Sequence, residues 1–179
     1  NFLQVHYKRK NYNHLIVSPH HTHSVLVKMI NKEIENHKSG LSSGIRLKLN
    51  AITNFSIIDK LYQASSEGVK IQMIVRGICC LIPGIKGMSE NIEVISIVDK
   101  FLEHPRVYQF DNGGSSKIYI SSADFMTRNI ENRVEVAVPI YDVRLQRQIK
   151  DVFDIIWNDN VKARRLNGPN QNVFVKNNL

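Results

Sequence analysis

At 179 residues, with 42% hydrophobic and 22% charged residues, the chain is long enough to bury a core of its own and too ordinary in composition for a disordered or fibrous class. No apolar run approaches the roughly 20 residues of a membrane span, and the opening NFLQVHYKRK lacks the apolar stretch of a secretory signal, so a soluble, cytoplasmic protein is expected. The net charge of +8, from 24 basic and 16 acidic residues, points to an anionic partner without choosing among nucleic acid, nucleotide, inorganic polyanion and acidic membrane.

The elements alternate along the chain. HLIVSP (14–19) is a short strand stopped by Pro19, and Leu26, Met29, Ile30 and Ile34 then recur at helical spacing until Ser39-Gly40. GIRLKLN (44–50) alternates apolar and polar residues as a strand. SIIDKLYQASSEG (56–68) reads as a helix, with Ser56 three before Asp59 as its start signal and Gly68 as its stop. VKIQMIVRG (69–77) is apolar enough for a central strand, and it places Arg76 at a carboxyl end, where open α/β sheets bind ligands. Residues 78–91 form a long loop, NIEVISIV (91–98) and PRVYQF (105–110) are strands, and the turn DNGGSS joins the latter to KIYISS as a hairpin. VEVAVPI (134–140) is a further strand. A last helix carries Leu145, Ile149, Val152, Phe153 and Ile156 on one face. Beyond Trp157 the pattern fades into an Asn-rich tail expected to be mobile or to cross a neighbour, which sets units at 1–158 and 159–179. The adjacent Cys79 and Cys80 read as two reduced thiols, since a disulfide between neighbours is strained. Asn rather than Met at position 1 suggests a piece of something larger.

Chemistry concentrates at the strand ends. His104, Arg106 and Asp111 follow the spacing His-x-Arg-x-x-x-x-Asp, and Ser121-Ser122-Ala123-Asp124 closes the next strand. Alternation turns His104 and Arg106 to one face, and the hairpin brings the Ser-Ser-Ala-Asp end beside them. An imidazole attacks or hands over a proton, a guanidinium fork binds phosphoryl oxygens, and Ser or Asp orients both. The pattern resembles the HKD motif of the phospholipase D superfamily, with Arg in place of Lys and Asp in place of Asn. That superfamily implies a mixed β-sheet flanked by helices in a single α/β domain.

The longer strings IRLKLN, IDKLYQASSEGVKIQMIVRGICCLIPG, SENI, SIVDKFLEHPRVYQFDNGG, YISSADFMTRNIENRVEVAVPI and VKAR, spanning about His14 to Arg164, resemble the C-terminal part of the polyphosphate kinase family. This chain is similar to the second, final phospholipase D-like domain of that family. The resemblance implies reversible transfer of the terminal phosphate of ATP onto inorganic polyphosphate, with magnesium, through a phosphohistidine in the preceding domain. It carries over ATP binding to Arg76 and His104, with His104 as catalytic phosphate ligand or proton donor. Lys48, Asn50, Arg106, Ser122, Asp124, Arg128, Asn129 and Arg133 are expected as further phosphate contacts or supports. Metal ligands and the remaining nucleotide contacts are expected upstream, with none here. The implied partners are ATP or ADP, polyphosphate, the upstream domains and a second copy of the full-length chain. Specific nucleic-acid binding is not implied, and peripheral membrane association is left open.

Plainer readings stand beside these. Arg76 could be a salt-bridged strand end, Arg106 half of an ion pair with Glu135, and Arg128 and Arg133 a solvated helical face. HHTH (20–23) meets no fixed metal-ligand spacing and reads as a solvent-facing loop, as KRK (8–10) and KARR (162–165) read as solvated or interdomain charge. The competing function is an HKD-like nuclease or nucleic-acid-binding module that pairs two copies. Arg106 in place of Lys disfavours it, because phosphodiester hydrolysis relies on that lysine.

Overall fold

The computed structural model describes residues 12–166 and 172–175; KRK at 8–10 lies outside the described residues. In chain order the elements are β1 (Ile16–Val17), α1 (Thr22–Lys38), β2 (Ile45–Leu49), α2 (Phe55–Ser66), β3 (Ile71–Val75), β4 (Ile92–Ser96), β5 (Arg106–Phe110), β6 (Lys117–Ser121), β7 (Val136–Ile140), α3 (Val143–Trp157), β8 (Arg164–Leu166) and β9 (Asn172–Phe174). Among the described residues they form one mixed sheet in the order β1-β7-β6-β5-β2-β3-β4-β8-β9. Pairings β2–β3 and β3–β4 are parallel and the rest are antiparallel.

Period-two alternation decides which helix covers which face. Ile45, Leu47 and Leu49 of β2, Ile71, Met73 and Val75 of β3, and Tyr108 and Phe110 of β5 join Leu26, Ile30, Ile57 and Leu61 of α1 and α2 in the main core. The alternate residues Ile74 and Ile95 face the other way and pack with Phe153 of α3 and Ala163. Thus β3 is buried on both faces, as its apolar run predicts. The predicted apolar stripe of α3 is only partly used: Phe153 is buried, whereas Leu145 and Val152 remain 49% and 55% exposed. Its neighbours on the sheet, Ile120 of β6 and Val138 of β7, are exposed too, so this half of the second face lies open.

Two boundaries differ from expectation. Helix α2 is capped by Asn54, whose side chain accepts from the Ile57 amide at 3.1 Å; Ser56 lies inside the first turn and bonds His23 instead. The predicted stop at Gly68 is present with φ +96, a conformation that costs a residue with a side chain. The tail, expected to be mobile or to cross a neighbour, extends the sheet where it is described: β8 pairs with β4, and β9 with β8. Arg164 lies over the Phe174 ring and Arg165 pairs with Glu93 at 3.6 Å, so part of KARR makes contacts within the domain.

Candidate functional site

The sheet directions gather four chain segments at one edge. Strands β2 and β3 run parallel and end together, placing Asn50 just beyond β2 and Arg76 just beyond β3. Strand β5 is antiparallel to β2, so its start, His104 to Arg106, meets the same edge. Strand β6 runs back beside β5 and delivers Ser121 opposite Arg106, with Asp124 three residues on.

A continuous chain of hydrogen bonds links Arg76 to His104. Arg76 Nε donates to Asn50 Oδ1 at 3.0 Å. Asn50 Nδ2 lies 3.4 Å from both carboxylate oxygens of Asp124, whose Oδ1 also accepts from the backbone amides of Asn50 (2.7 Å) and Ala51 (3.2 Å). Arg106 Nη2 donates to Asp124 Oδ2 at 2.8 Å, and Arg106 Nη1 donates to His104 Nδ1 at 2.9 Å and to the His104 carbonyl at 3.2 Å. The Arg106–Asp124 pair is sheltered, with side chains 13% and 8% exposed, whereas His104 is exposed and Arg76 half-buried. Burial by itself raises the Asp124 pKa; the Arg106 hydrogen bond and charge and the two backbone amides outweigh it and hold the carboxyl below its ordinary range. Beneath, the Tyr108 hydroxyl bonds Ser121 Oγ and the Ala123 carbonyl, and burial pushes its pKa up strongly.

The other expected residues divide. Lys48 is buried and pairs with Glu103 at 3.2 Å; it lines a cavity of about 50 Å³ with Arg76, Asp99, Phe101 and Glu103. Ser122 Oγ and Asn129 Nδ2 both bond Glu135. The suggested Arg106–Glu135 pair is therefore replaced by Arg106–Asp124, because β6 register sets Asp124 rather than Glu135 against the guanidinium. Arg128 and Arg133 are exposed at the two ends of a π-helical turn, Arg128–Asn132. Asp111 is not part of the site: it follows the far end of β5, roughly 17 Å along the strand from Arg106 at ~3.4 Å per residue, and accepts from Ser42. Glu103 was not singled out from the sequence. Nothing in the local pattern marks it, since its partner Lys48 lies on a different strand.

Roomier clefts of about 540 and 690 Å³ lie elsewhere. The first, at the amino ends of β2 and β3, balances Arg46, Lys70 and Lys150 against Glu90, Glu93 and Asp111, so its lining carries no net charge to draw an anion. Magnesium prefers carboxylate oxygens with room for water. Among the described residues no group of three or more His, Cys, Asp and Glu could hold a metal, and the Asp124 and Glu103 carboxylates already face cations. The described residues do not fit a magnesium site. Among the described residues no helix is long and apolar enough to cross a membrane.

Comparison with known proteins decides the family. The pattern described as "Polyphosphate kinase C-terminal domain 2" matches residues 15–178. The chain belongs to the polyphosphate kinase family. It is 49% identical over 175 residues to the polyphosphate kinase of Klebsiella pneumoniae and 48% identical to that of Escherichia coli (strain K12), in each case over 98% of this chain. It spans only 26% and 25% of those relatives' lengths, about a quarter. The crystal structure of polyphosphate kinase from Porphyromonas gingivalis superposes with a TM-score of 0.93 at 40% identity, covering 98% of this chain and 27% of that one. Nuc from Salmonella typhimurium, a phospholipase D family member, matches with a TM-score of 0.63 at 16% identity, over 86% of this chain and 97% of Nuc. That likeness shows the fold: a mixed sheet flanked by helices, as in phospholipase D-like domains.

Proposed function

We propose that this domain is the phosphate-gripping half of a polyphosphate kinase catalytic site, in which the terminal phosphate of ATP passes reversibly to inorganic polyphosphate through a phosphohistidine supplied by the preceding domain. One observation carries the reading: in a chain of this family, Arg76 and His104 belong to one hydrogen-bonded array at a single sheet edge. Phosphoryl transfer depends on positioning and on stabilising charge spread over the equatorial oxygens. Arg76 has guanidinium nitrogens left for such oxygens after Nε is taken by Asn50. His104 is exposed and meets phosphate as ligand or proton donor. Lys48 lines the same cavity as Arg76 and adds a cation once Glu103 releases it. Asn50 and Asp124 hold these groups, Ser122 and Asn129 brace the neighbouring turn through Glu135, and Arg128 and Arg133 remain for the polyanion.

The open apolar surface formed by Ile120, Val138, Leu145 and Val152 supports a neighbour packed beside the site, which we take to be the upstream part of the same polypeptide. Magnesium ligands belong to that upstream part in this reading, as does a second copy of the whole chain to its assembly. ATP as donor places the reaction in the cytoplasm.

The test restores the upstream sequence and measures ATP-dependent polyphosphate synthesis. Arg76→Ala and His104→Ala should each lower it by roughly 100-fold or more. Near-normal activity in both removes them from the site. Cleavage of DNA by the chain, with ATP and polyphosphate ignored, would favour a nuclease instead.

A further inference from the structure

Arg106 occupies the place where a phosphate-binding cation is expected from the His-x-Arg spacing, yet most of its donors are already committed or buried. Nη1 serves the Nδ1 and carbonyl of His104, and Nη2 serves Asp124 and approaches His104 Nε2 at 3.4 Å. Nε is buried without a partner. At most one N–H, on Nη2, is thus left for an incoming ligand, and the carboxylate that anchors the guanidinium is itself fixed by two backbone amides.

The contact lengths also favour one tautomer of a neutral imidazole. A guanidinium only donates, and a neutral imidazole has a single accepting nitrogen. Only one of the two Arg106–His104 ring contacts is therefore a hydrogen bond, and the 2.9 Å contact to Nδ1 has the favourable length where the 3.4 Å contact does not. The ring proton then sits on Nε2, for which no acceptor is present among the described residues.

We propose that Arg106 is a positioning residue that fixes His104 as its Nε2–H tautomer, so that the ring donates a hydrogen bond to a phosphate oxygen and Arg106 acts through the ring rather than as the phosphate ligand. This deepens the reading above and rests on it for the identity of the acceptor, although the tautomer does not. It assigns Nε2 the part of donor; with its proton there, that nitrogen has no lone pair with which to attack phosphorus.

The full-length chain, labelled with ¹⁵N-histidine, allows a direct test. The His104 ring signals are identified by their loss in His104→Gln, and their nitrogen shifts report which atom carries the proton. The wild type should show Nε2–H, Arg106→Leu a mixture of tautomers, and Arg106→Lys, which keeps one donor, the wild-type pattern. A wild-type His104 protonated at Nδ1 overturns the proposal. Kinetics provide the second readout. Arg106→Leu should lower kcat about 10- to 100-fold with the KM for ATP within about twofold, and adding it to His104→Gln should cost no more than His104→Gln alone. Losses that multiply, or a KM that rises in step, would make Arg106 a direct phosphate ligand and sink the idea. Full activity of His104→Gln refutes the proposed function instead, and the NMR result then still decides the tautomer.

Discussion

Replacing Asp124 by Ala tests whether the site network also holds the fold. The carboxylate is buried and accepts from Arg106 Nη2, the amides of Asn50 and Ala51, and Asn50 Nδ2. Its removal strands a sheltered guanidinium and two backbone donors. Breaking a buried pair at one partner costs about 3–5 kcal/mol, and an orphaned buried donor about 1–3 kcal/mol. These losses overlap, so we expect about 4 kcal/mol for Asp124→Ala, governed by the stranded charge. Asp124→Asn keeps an oxygen for the amides and should cost about half of that, ~2 kcal/mol. Against a typical domain stability of about 5–15 kcal/mol the Ala variant is conspicuous. A urea titration of the chain, followed by the fluorescence of its single tryptophan, Trp157, stacked 6.0 Å from Phe153, measures the change. The pH dependence carries a definite sign. Because the folded pKa is depressed, the contribution of Asp124 is fully present above the unfolded value of about 3.9 and disappears as pH falls through the folded value. The gap between wild type and Asp124→Asn should therefore narrow below about pH 4. An Asp124→Ala unfolding free energy within about 0.5 kcal/mol of wild type at pH 7, with an unchanged slope, would refute the reasoning.

Two further outcomes follow from local geometry. Cys80 is exposed, whereas burial pushes the Cys79 thiol up to about 11, so a thiol reagent at pH 8 should modify one cysteine per native chain quickly and the second only on unfolding. Equal rates at both would contradict the partial burial of Cys79. Gly68→Ala places a Cβ 2.4 Å from the His37 ring at φ +96, and should lower stability by about 1–3 kcal/mol in the same urea assay; a neutral result would mean that the turn after α2 has room to move.

Much of the architecture was legible because it is local. The spacing of Leu26, Met29, Ile30 and Ile34 already describes a buried helix face, and the alternation of IRLKL already separates Leu47 from Lys48. The same rules failed where the deciding contact lies outside the window. Ser56 and Asn54 are both competent caps, and only the geometry entering α2 selects Asn54. The tail lacks apolar period because a strand of three residues, held by backbone pairing to β4 on one side and β9 on the other, does not need one.

For the site, the sequence by itself determined the residue types and their places on strand ends: Arg76 after β3, His104 and Arg106 at the start of β5, Asp124 past β6. Those follow from alternation and turn chemistry, which act over a few residues. The tertiary structure alone decided the partnerships, joining Arg106 to Asp124 rather than Glu135, Lys48 to Glu103, and Arg76 to Asp124 through Asn50, while leaving Asp111 at the opposite end. Strand order and register set those pairings, and both are fixed by burial of apolar strand faces against helices distant in the chain, a quantity that no short stretch of sequence contains.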